Sequence, residues 1–187
     1  MQVNWDAIVK TYDVRGLVDV DLTDDVVRAL AAGFVDELEL SGQTVIVGHD
    51  MRDSSPRFAN CFAEGATLRG ANVINLGLCS TDESYFASGY LKLPAAMFTA
   101  SHNPATYNGI KFSRAGARGI SLDTGLANIR DRAKKFLAEG IPAAESKGTV
   151  SKKDVLVDYA SYLRKLVDLS NVRPMKVVVD AANGMGG

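Results

Sequence analysis

The chain has 187 residues, enough for one domain of about 100–200 residues and part of a second. Its 47% hydrophobic and 23% charged residues are ordinary for a globular protein, and a net charge of −1 gives no reason to expect nucleic acid or an anionic membrane as a partner. No stretch approaches the roughly 18 apolar residues of a membrane span, and the first residues lack the blocks of a signal peptide, so we expect a cytoplasmic location.

The first long element is predicted as an amphipathic helix. Residues 23–40 carry apolar side chains in steps of four, and Thr23 is a suitable N-cap. The aspartates within 19–25 are better explained by capping and a solvated turn than by a cation site, because no EF-hand glycine or glutamate accompanies them.

A strand, a polar loop and a second helix follow. Residues 44–47 read as a buried strand, 48–55 as a loop, and Pro56 as the first turn of a helix capped by Ser55. A loop that leads into a helix N-terminus and carries Arg52 suits an anion. A capped turn with a solvated arginine is the alternative.

The remaining elements alternate between strands and helices. They are strands at 72–76 and 93–100, helices at 81–91 and 123–139, and a hairpin around Asn108-Gly109 that adds an antiparallel strand. This alternation predicts an α/β fold, a three-layer α/β/α sandwich with a mixed, mostly parallel sheet.

A Gly-, Pro-, Ala- and Ser-rich stretch at 140–151 predicts a boundary between a first domain, 1–150, and the opening of a second, 151–187. This second part holds a predicted helix at 152–167, a strand at 175–179 and a glycine-rich turn at 180–187. A strand without partners cannot bury its faces, so we expect a truncated chain whose last fifteen or so residues are disordered or paired with another chain.

The cysteines and histidines do not suggest a metal site. Cys61 and Cys79 lack metal-ligand spacing and stand in apolar surroundings, which favours buried free thiols. His49 and His102 are the only histidines, too few for a histidine-based site without distant carboxylates.

Ser101 is the strongest candidate for chemistry. It follows the apolar run 93–100, and in open α/β sheets chemistry gathers beyond the carboxyl ends of strands. A tight turn at Asn108-Gly109 would return Lys111 towards Ser101, where a lysine suits a phosphorylated serine. A surface hairpin with incidental polar residues is the alternative.

Acyl transfer is disfavoured. No Gly-x-Ser-x-Gly nucleophile elbow surrounds Ser101, whose immediate neighbours are Ala100 and His102. Neighbouring side chains on an extended segment also point apart, so Ser101 and His102 are not expected to form a nucleophile–base pair.

Three motifs in chain order resemble those of the α-D-phosphohexomutases, which include phosphomannomutases and phosphoglucomutases. They are Tyr12-Asp13-Val14-Arg15-Gly16, then Gly48 to Ser55 (Gly-His-Asp-Met-Arg-Asp-Ser-Ser), then Thr99 to Lys111 (Thr-Ala-Ser-His-Asn-Pro-Ala-Thr-Tyr-Asn-Gly-Ile-Lys). The third resembles the family's phosphoserine loop. The resemblance extends over essentially the whole chain, as a first domain and the opening of a second.

The resemblance implies that hexose 1-phosphate and hexose 6-phosphate are interconverted through a hexose 1,6-bisphosphate, which also serves as activator. Phosphorylated Ser101 would donate its phosphoryl group to a hexose phosphate, with mannose and glucose both open. Lys111 and Arg15 match positions for acid–base and electrostatic work. Lys111 is the better proton carrier, because a guanidinium does not deprotonate in proteins.

The resemblance assigns supporting roles as well. His102 is expected to hydrogen-bond the phosphate or the substrate. Tyr12, Arg52 and Asn103 are the candidates for binding substrate or phosphate, with Asn103 also holding the loop. For Tyr12, plain packing of the ring is an equal alternative.

The family's magnesium ion implies parts that this sequence lacks. It is held by an Asp-Gly-Asp-x-Asp loop together with an oxygen of the phosphoserine, here Ser101, and no such loop occurs in the sequence. Mutase domains 2–4 are therefore expected partners, and the isolated chain is expected to show little or no turnover. The alternatives are a phosphoglucosamine mutase or a non-catalytic sugar-phosphate-binding domain. The second is disfavoured because a binder needs no nucleophile.

Overall fold

The computed structural model describes residues 3–182 and 184. Within them the helices are α1 (Trp5–Ile8), α2 (Asp24–Glu37), α3 (Ser55–Leu68), α4 (Thr81–Leu91), α5 (Leu126–Glu139) and α6 (Leu156–Leu166), with a 3-10 turn at Leu122–Thr124. The strands are β1 (Val14–Leu17), β2 (Thr44–His49), β3 (Asn72–Leu78), β4 (Ala95–Phe98), β5 (Tyr107–Arg114), β6 (Arg118–Gly119) and β7 (Val150–Lys152).

These strands form one mixed sheet in the order β1-β5-β4-β2-β3-β7, with β6 beside β5. Strands β4, β2, β3 and β7 are parallel, whereas β5 pairs antiparallel with β1, β4 and β6. Only β5 therefore runs against the others. The predicted mixed and mostly parallel sheet is confirmed.

Helices cover both faces of the sheet. Val45 and Val47 of β2 pack into the larger core with α2, α3 and α5, while Ile46 between them packs into a smaller core with Ala87 of α4. Alternate residues of a strand point to opposite faces. The sheet is thus the middle layer of the predicted α/β/α sandwich.

Side-chain N-caps stand at the start of α1, α2 and α4. The Thr23 side chain accepts a hydrogen bond from the N–H of Val26, so the predicted N-cap of α2 is confirmed. The helix predicted at 123–139 is interrupted, because Gly125 takes a φ of 137° between the 3-10 turn and α5. A glycine tolerates this conformation at little cost.

The predicted turn at Asn108-Gly109 is wrong. Both residues lie inside β5, and the chain reverses earlier, over residues 99–106. Gly109 faces Arg15 of β1, and a Cβ there would approach the carbonyl oxygen of Val14 to 2.4 Å. The glycine serves the close approach of two strands rather than a turn.

The sheet continues past the predicted boundary at 150. Strand β7 pairs with β3, and α6 begins at Leu156 rather than at 152. The strand predicted at 175–179 is not formed, and Val178 is 90% exposed. Of the predicted turn at 180–187, residues 183 and 185–187 lie outside the described residues.

Both cysteines are buried free thiols, as predicted. Burial raises the pKa of Cys61 to about 11 and that of Cys79 to about 12. Such thiols are inert near neutral pH. Over the described part of the chain, no helix combines the length and the apolar character needed to cross a bilayer.

We expect Gly109→Ala to lower the free energy of unfolding by roughly 1–3 kcal/mol, because the new methyl group overlaps the Val14 carbonyl. Urea unfolding curves measure this loss. Gly119→Ala on β6 is the control, since a Cβ there meets nothing within 4 Å. Equal effects of the two substitutions would contradict the close-approach role.

Candidate active site

The site lies where the strand order of the sheet reverses. From β2 the chain moves outward to β3 and then crosses back to β4 on the other side of β2. Crevices at such points, beyond the carboxyl ends of strands, are where open α/β sheets bind ligands. A cavity of about 690 Å³ opens there between the loop after β2, the start of α4 and the loop after β4. Ser101, His102, Asn103 and Arg52 line it.

Ser101 stands in a strained turn at the mouth of β4. Its φ of 54° is left-handed, a conformation that costs a non-glycine residue roughly 1–2 kcal/mol. The Ser101 N–H donates to Oγ1 of Thr99 at 3.0 Å, and the Asn103 N–H donates to the carbonyl of Ala100 at 3.0 Å. The residue as a whole is exposed, so the turn presents the hydroxyl to solvent.

His102 lies closer to Ser101 than the sequence predicts. Because Ser101 is left-handed and not extended, the two side chains do not point apart, and Ser101 Oγ lies 3.4 Å from His102 Nδ1. This is longer than the about 2.5–3.0 Å of a good hydroxyl hydrogen bond. The contact is too long to activate the serine as it stands.

A buried carboxylate joins the two predicted catalytic cations. Oδ2 of Asp13 lies 2.5 Å from Nη2 of Arg15 and 3.2 Å from Nζ of Lys111. Nη1 of Arg15 donates to Oδ1 of Asn103 at 2.6 Å. A continuous series of contacts therefore runs from Lys111 through Asp13 and Arg15 to the Ser101 loop.

Sequence reasoning did not single out Asp13, although the residue stands inside the first motif. A carboxylate two residues before Arg15 was the available signal. Its partnership with Lys111 depends on the antiparallel pairing of β1 with β5, which local sequence does not reveal. The side chain is 11% exposed, so its charge is balanced by the two cations rather than by water.

Not all predicted residues meet at the cavity. Arg15, Lys111 and Tyr12 lie outside its lining, and the first two reach the loop through Asp13 and Asn103. Tyr12 is 74% exposed, so the alternative that its ring is packed is wrong. Its contact with substrate stays a prediction.

Arg52 binds protein rather than solvent. Its Nε pairs with Oδ2 of Asp50 at 3.3 Å, and its two Nη atoms donate to four backbone carbonyls, three in the loop after β4 and one at the first residue of β5. The four are those of Ser101 at 2.8 Å, Asn103 at 2.7 Å, Pro104 at 2.8 Å and Tyr107 at 2.9 Å. An arginine has five N–H donors, and all five are used. This arrangement contradicts the predicted anion-binding role.

The helix after Arg52 begins differently from the prediction. Helix α3 starts at Ser55 itself, with Ser54 at the N-cap position. Ser55 instead donates from Oγ to Asp50 Oδ1 at 2.7 Å and accepts from Nδ2 of Asn108 at 2.9 Å. The serine predicted as a cap is part of the support beneath the site.

Metal ligands are not assembled here. Across residues 3–182 and 184, no group of three or more His, Cys, Asp or Glu side chains is arranged to hold an ion. Asp19 and Asp24 pair with Arg57 instead. The described part of the chain therefore does not by itself supply a carboxylate donor set for magnesium.

Residues 6–138 match the family "Phosphoglucomutase/phosphomannomutase, alpha/beta/alpha domain I". The chain belongs to the phosphoglucomutase/phosphomannomutase family. The match spans the candidate motifs, and the domain named is of the α/β/α kind seen in the fold.

Similar proteins are consistent with this family. The chain is 40% identical over 180 residues to "Phosphohexose mutases" of Xanthomonas campestris and 35% identical over 182 residues to "Phosphomannomutase" of Vibrio cholerae. In both cases it aligns over 95% of its own length and spans only 39% of the relative's. A phosphoglucomutase/phosphomannomutase family protein from Burkholderia thailandensis has a similar structure, with a TM-score of 0.77 and 28% identity over 100% of this chain and 41% of that one.

We expect Asp13→Asn to lower the free energy of unfolding by about 1–3 kcal/mol, because two cations lose their buried partner. The loss will be smaller when Lys111→Met is present, since one cation is then gone. A double-mutant cycle from urea unfolding measures the difference.

Asp25→Asn is the control for this cycle. Its carboxylate also pairs with an arginine but is 79% exposed, so little change is expected. Equal losses from Asp13→Asn in the two backgrounds would show that Lys111 and Asp13 are not coupled.

Proposed function

We propose that this chain is the phosphoserine-bearing domain of a phosphohexomutase, which interconverts hexose 1-phosphate and hexose 6-phosphate. The observation that carries the proposal is the exposed Ser101, held in a left-handed turn at the sheet's switch point. Contacts through Asn103, Arg15 and Asp13 connect that turn to Lys111. A serine whose loop is connected to two cations suits phosphoryl transfer, because that reaction depends on positioning and charge stabilisation.

The proposed reaction consists of two phosphoryl transfers, one from Ser101 to the sugar and one from the sugar back to Ser101. A hydroxyl oxygen of the hexose phosphate attacks the phosphorus on Ser101, the bond between Ser101 Oγ and phosphorus breaks, and the hydroxyl proton leaves to a base as Oγ takes one up. The product is a hexose 1,6-bisphosphate. The sugar then reorients, and its other phosphate returns to Ser101 by the reverse steps, which leaves the isomeric monophosphate.

The side chains of this domain divide the work. Lys111 carries the proton, since an ammonium loses one more readily than a guanidinium. Arg15, fixed by Asp13 and Asn103, stabilises the charge on the transferred group. His102, beside Ser101, hydrogen-bonds the phosphate.

Other parts of the proposed enzyme lie beyond this chain. The chain spans 39% of the length of the curated relatives. We therefore assign substrate recognition to mutase domains 2–4 of the full enzyme. Magnesium would be held there together with a phosphate oxygen on Ser101. We also propose a cytoplasmic location. The relative named phosphomannomutase favours mannose as the sugar, and the family description, phosphoglucomutase/phosphomannomutase, favours mannose or glucose, with glucosamine the alternative.

The first test is mass-spectrometric mapping of phosphate after incubation with glucose 1,6-bisphosphate and magnesium. We expect phosphate on Ser101 and its loss on addition of mannose 6-phosphate or glucose 6-phosphate. Ser101→Ala should remove the signal. Ser170→Ala, at another exposed serine, should keep it.

The same mapping is repeated with the chain fused to the remaining length of the Xanthomonas campestris relative. Phosphate on Ser101 in either protein that is lost to hexose monophosphate supports the proposal. A bare Ser101 in both would reject it in favour of a non-catalytic sugar-phosphate-binding domain.

A second test concerns turnover by the chain alone. We expect conversion of mannose 1-phosphate to mannose 6-phosphate at a rate at least about 100-fold below that of the fused protein, because most electrostatic stabilisation would be missing. A coupled assay for mannose 6-phosphate measures both rates. Similar rates would show that this chain is sufficient.

A further inference from the structure

The loop that carries Ser101 is held mainly by one side chain from another loop. Residues 99–106 connect β4 to β5 and contain irregular backbone whose carbonyls need donors. Arg52 supplies four such donors to a span of seven residues, 101–107. We infer that Arg52 is a positioning residue for phosphoryl transfer, which fixes the conformation of the Ser101 loop without touching the phosphate.

The contacts reach both sides of the strained residue. The Ser101 carbonyl accepts from Arg52, while the Ser101 N–H donates to Thr99. With both backbone groups of the residue engaged, its left-handed conformation is determined from outside the residue itself. Because N–H and C=O are antiparallel in a trans peptide, the same bond turns the His102 N–H away from the guanidinium.

Arg52 is in turn held by its own loop. Asp50 pairs with the guanidinium through Oδ2 and accepts the Arg52 N–H on Oδ1 at 3.0 Å. The Asp50 N–H donates to the carbonyl of Phe98 at the end of β4. Ser55 then links Asp50 to Asn108, which is fully buried in β5. We call Arg52 with its four carbonyls and Asp50 the Arg52 clamp.

A lysine cannot replace this arginine. The five acceptors surround a planar, forked donor, whereas an ammonium offers three donors from one point. The side chain of Arg52 is 9% exposed, so the guanidinium itself is largely shielded from water, although the acceptor residues Ser101 and Pro104 are exposed. Arg52→Lys therefore keeps the charge and removes the geometry.

The inference rests on the proposed function for the reaction that the loop performs, but its geometry can be tested alone. We expect Arg52→Lys to speed amide hydrogen exchange over residues 101–107 by about tenfold or more, with α3 and the remaining strands unchanged. Arg57→Lys is the matched control, because Arg57 stands on α3 and pairs with surface aspartates. Unchanged exchange at 101–107 in Arg52→Lys would overturn the clamp.

The reaction provides the second measurement, in the fused protein described above. We expect Arg52→Lys to lower the maximal rate of Ser101 phosphorylation by glucose 1,6-bisphosphate about 100-fold, with the half-saturating concentration unchanged. A raised half-saturating concentration with normal exchange would make Arg52 a phosphate ligand and overturn the inference. If wild-type Ser101 stays bare, the proposed function fails while hydrogen exchange still decides the clamp.

A rescue experiment separates geometry from general destabilisation. In Arg52→Ala, added guanidinium should restore slow exchange at 101–107, whereas ammonium at the same concentration should not. Rescue by both cations, or by neither in a variant that circular dichroism shows to be folded, would contradict the need for a planar donor. If Arg52→Ala does not fold, Asp50→Asn provides the test, with faster exchange over the same residues expected and unchanged exchange contradicting the clamp.

Discussion

The reversed direction of β5 is the constraint on which the rest of the site depends. A parallel strand after β4 would need a long crossover, whereas an antiparallel one is reached by the short connection 99–106 at the carboxyl edge of the sheet. That connection carries Ser101. The same reversal lays β5 against β1, so Lys111 and Arg15 come from neighbouring strands and share the carboxylate of Asp13. One change of strand direction thus places the serine and both cations.

The two cations are not independent groups in this arrangement. A single buried oxygen of Asp13 accepts from both, and Arg15 extends the connection to Asn103 in the Ser101 loop. Moving Lys111 therefore disturbs the partner of Arg15, and moving Arg15 disturbs the loop. Charges that act as a unit in this way resist description by single-residue roles. The site is better understood as one network with the serine at its edge.

Local sequence signals predicted what depends on local physics. The period of apolar residues and the Thr23 cap located α2, and the apolar run before Ser101 located β4.

The failed predictions concern tertiary contacts. Gly109 was predicted as a turn glycine, but a glycine is needed there because the Val14 backbone on the neighbouring strand approaches it closely. Arg52 was predicted as an anion ligand because local sequence does not show what its guanidinium binds. The carbonyls that accept its hydrogen bonds lie about fifty positions further along the chain. Asp13 was missed because one of its partners is on β5.

The Ser101 turn is strained, and the magnitudes show why it persists. A left-handed non-glycine residue costs roughly 1–2 kcal/mol, whereas hydrogen bonds to a charged donor contribute about 1.5–3 kcal/mol each. Arg52 makes four such bonds, three to this loop and one to Tyr107 at the start of β5. The contacts thus exceed the strain even if they are worth well below their usual value. The turn is therefore formed by the chain itself, and in the proposed phosphoryl transfer the loop would need little reorganisation when charge develops on the transferred group. Preorganisation of this kind is what electrostatic catalysis requires.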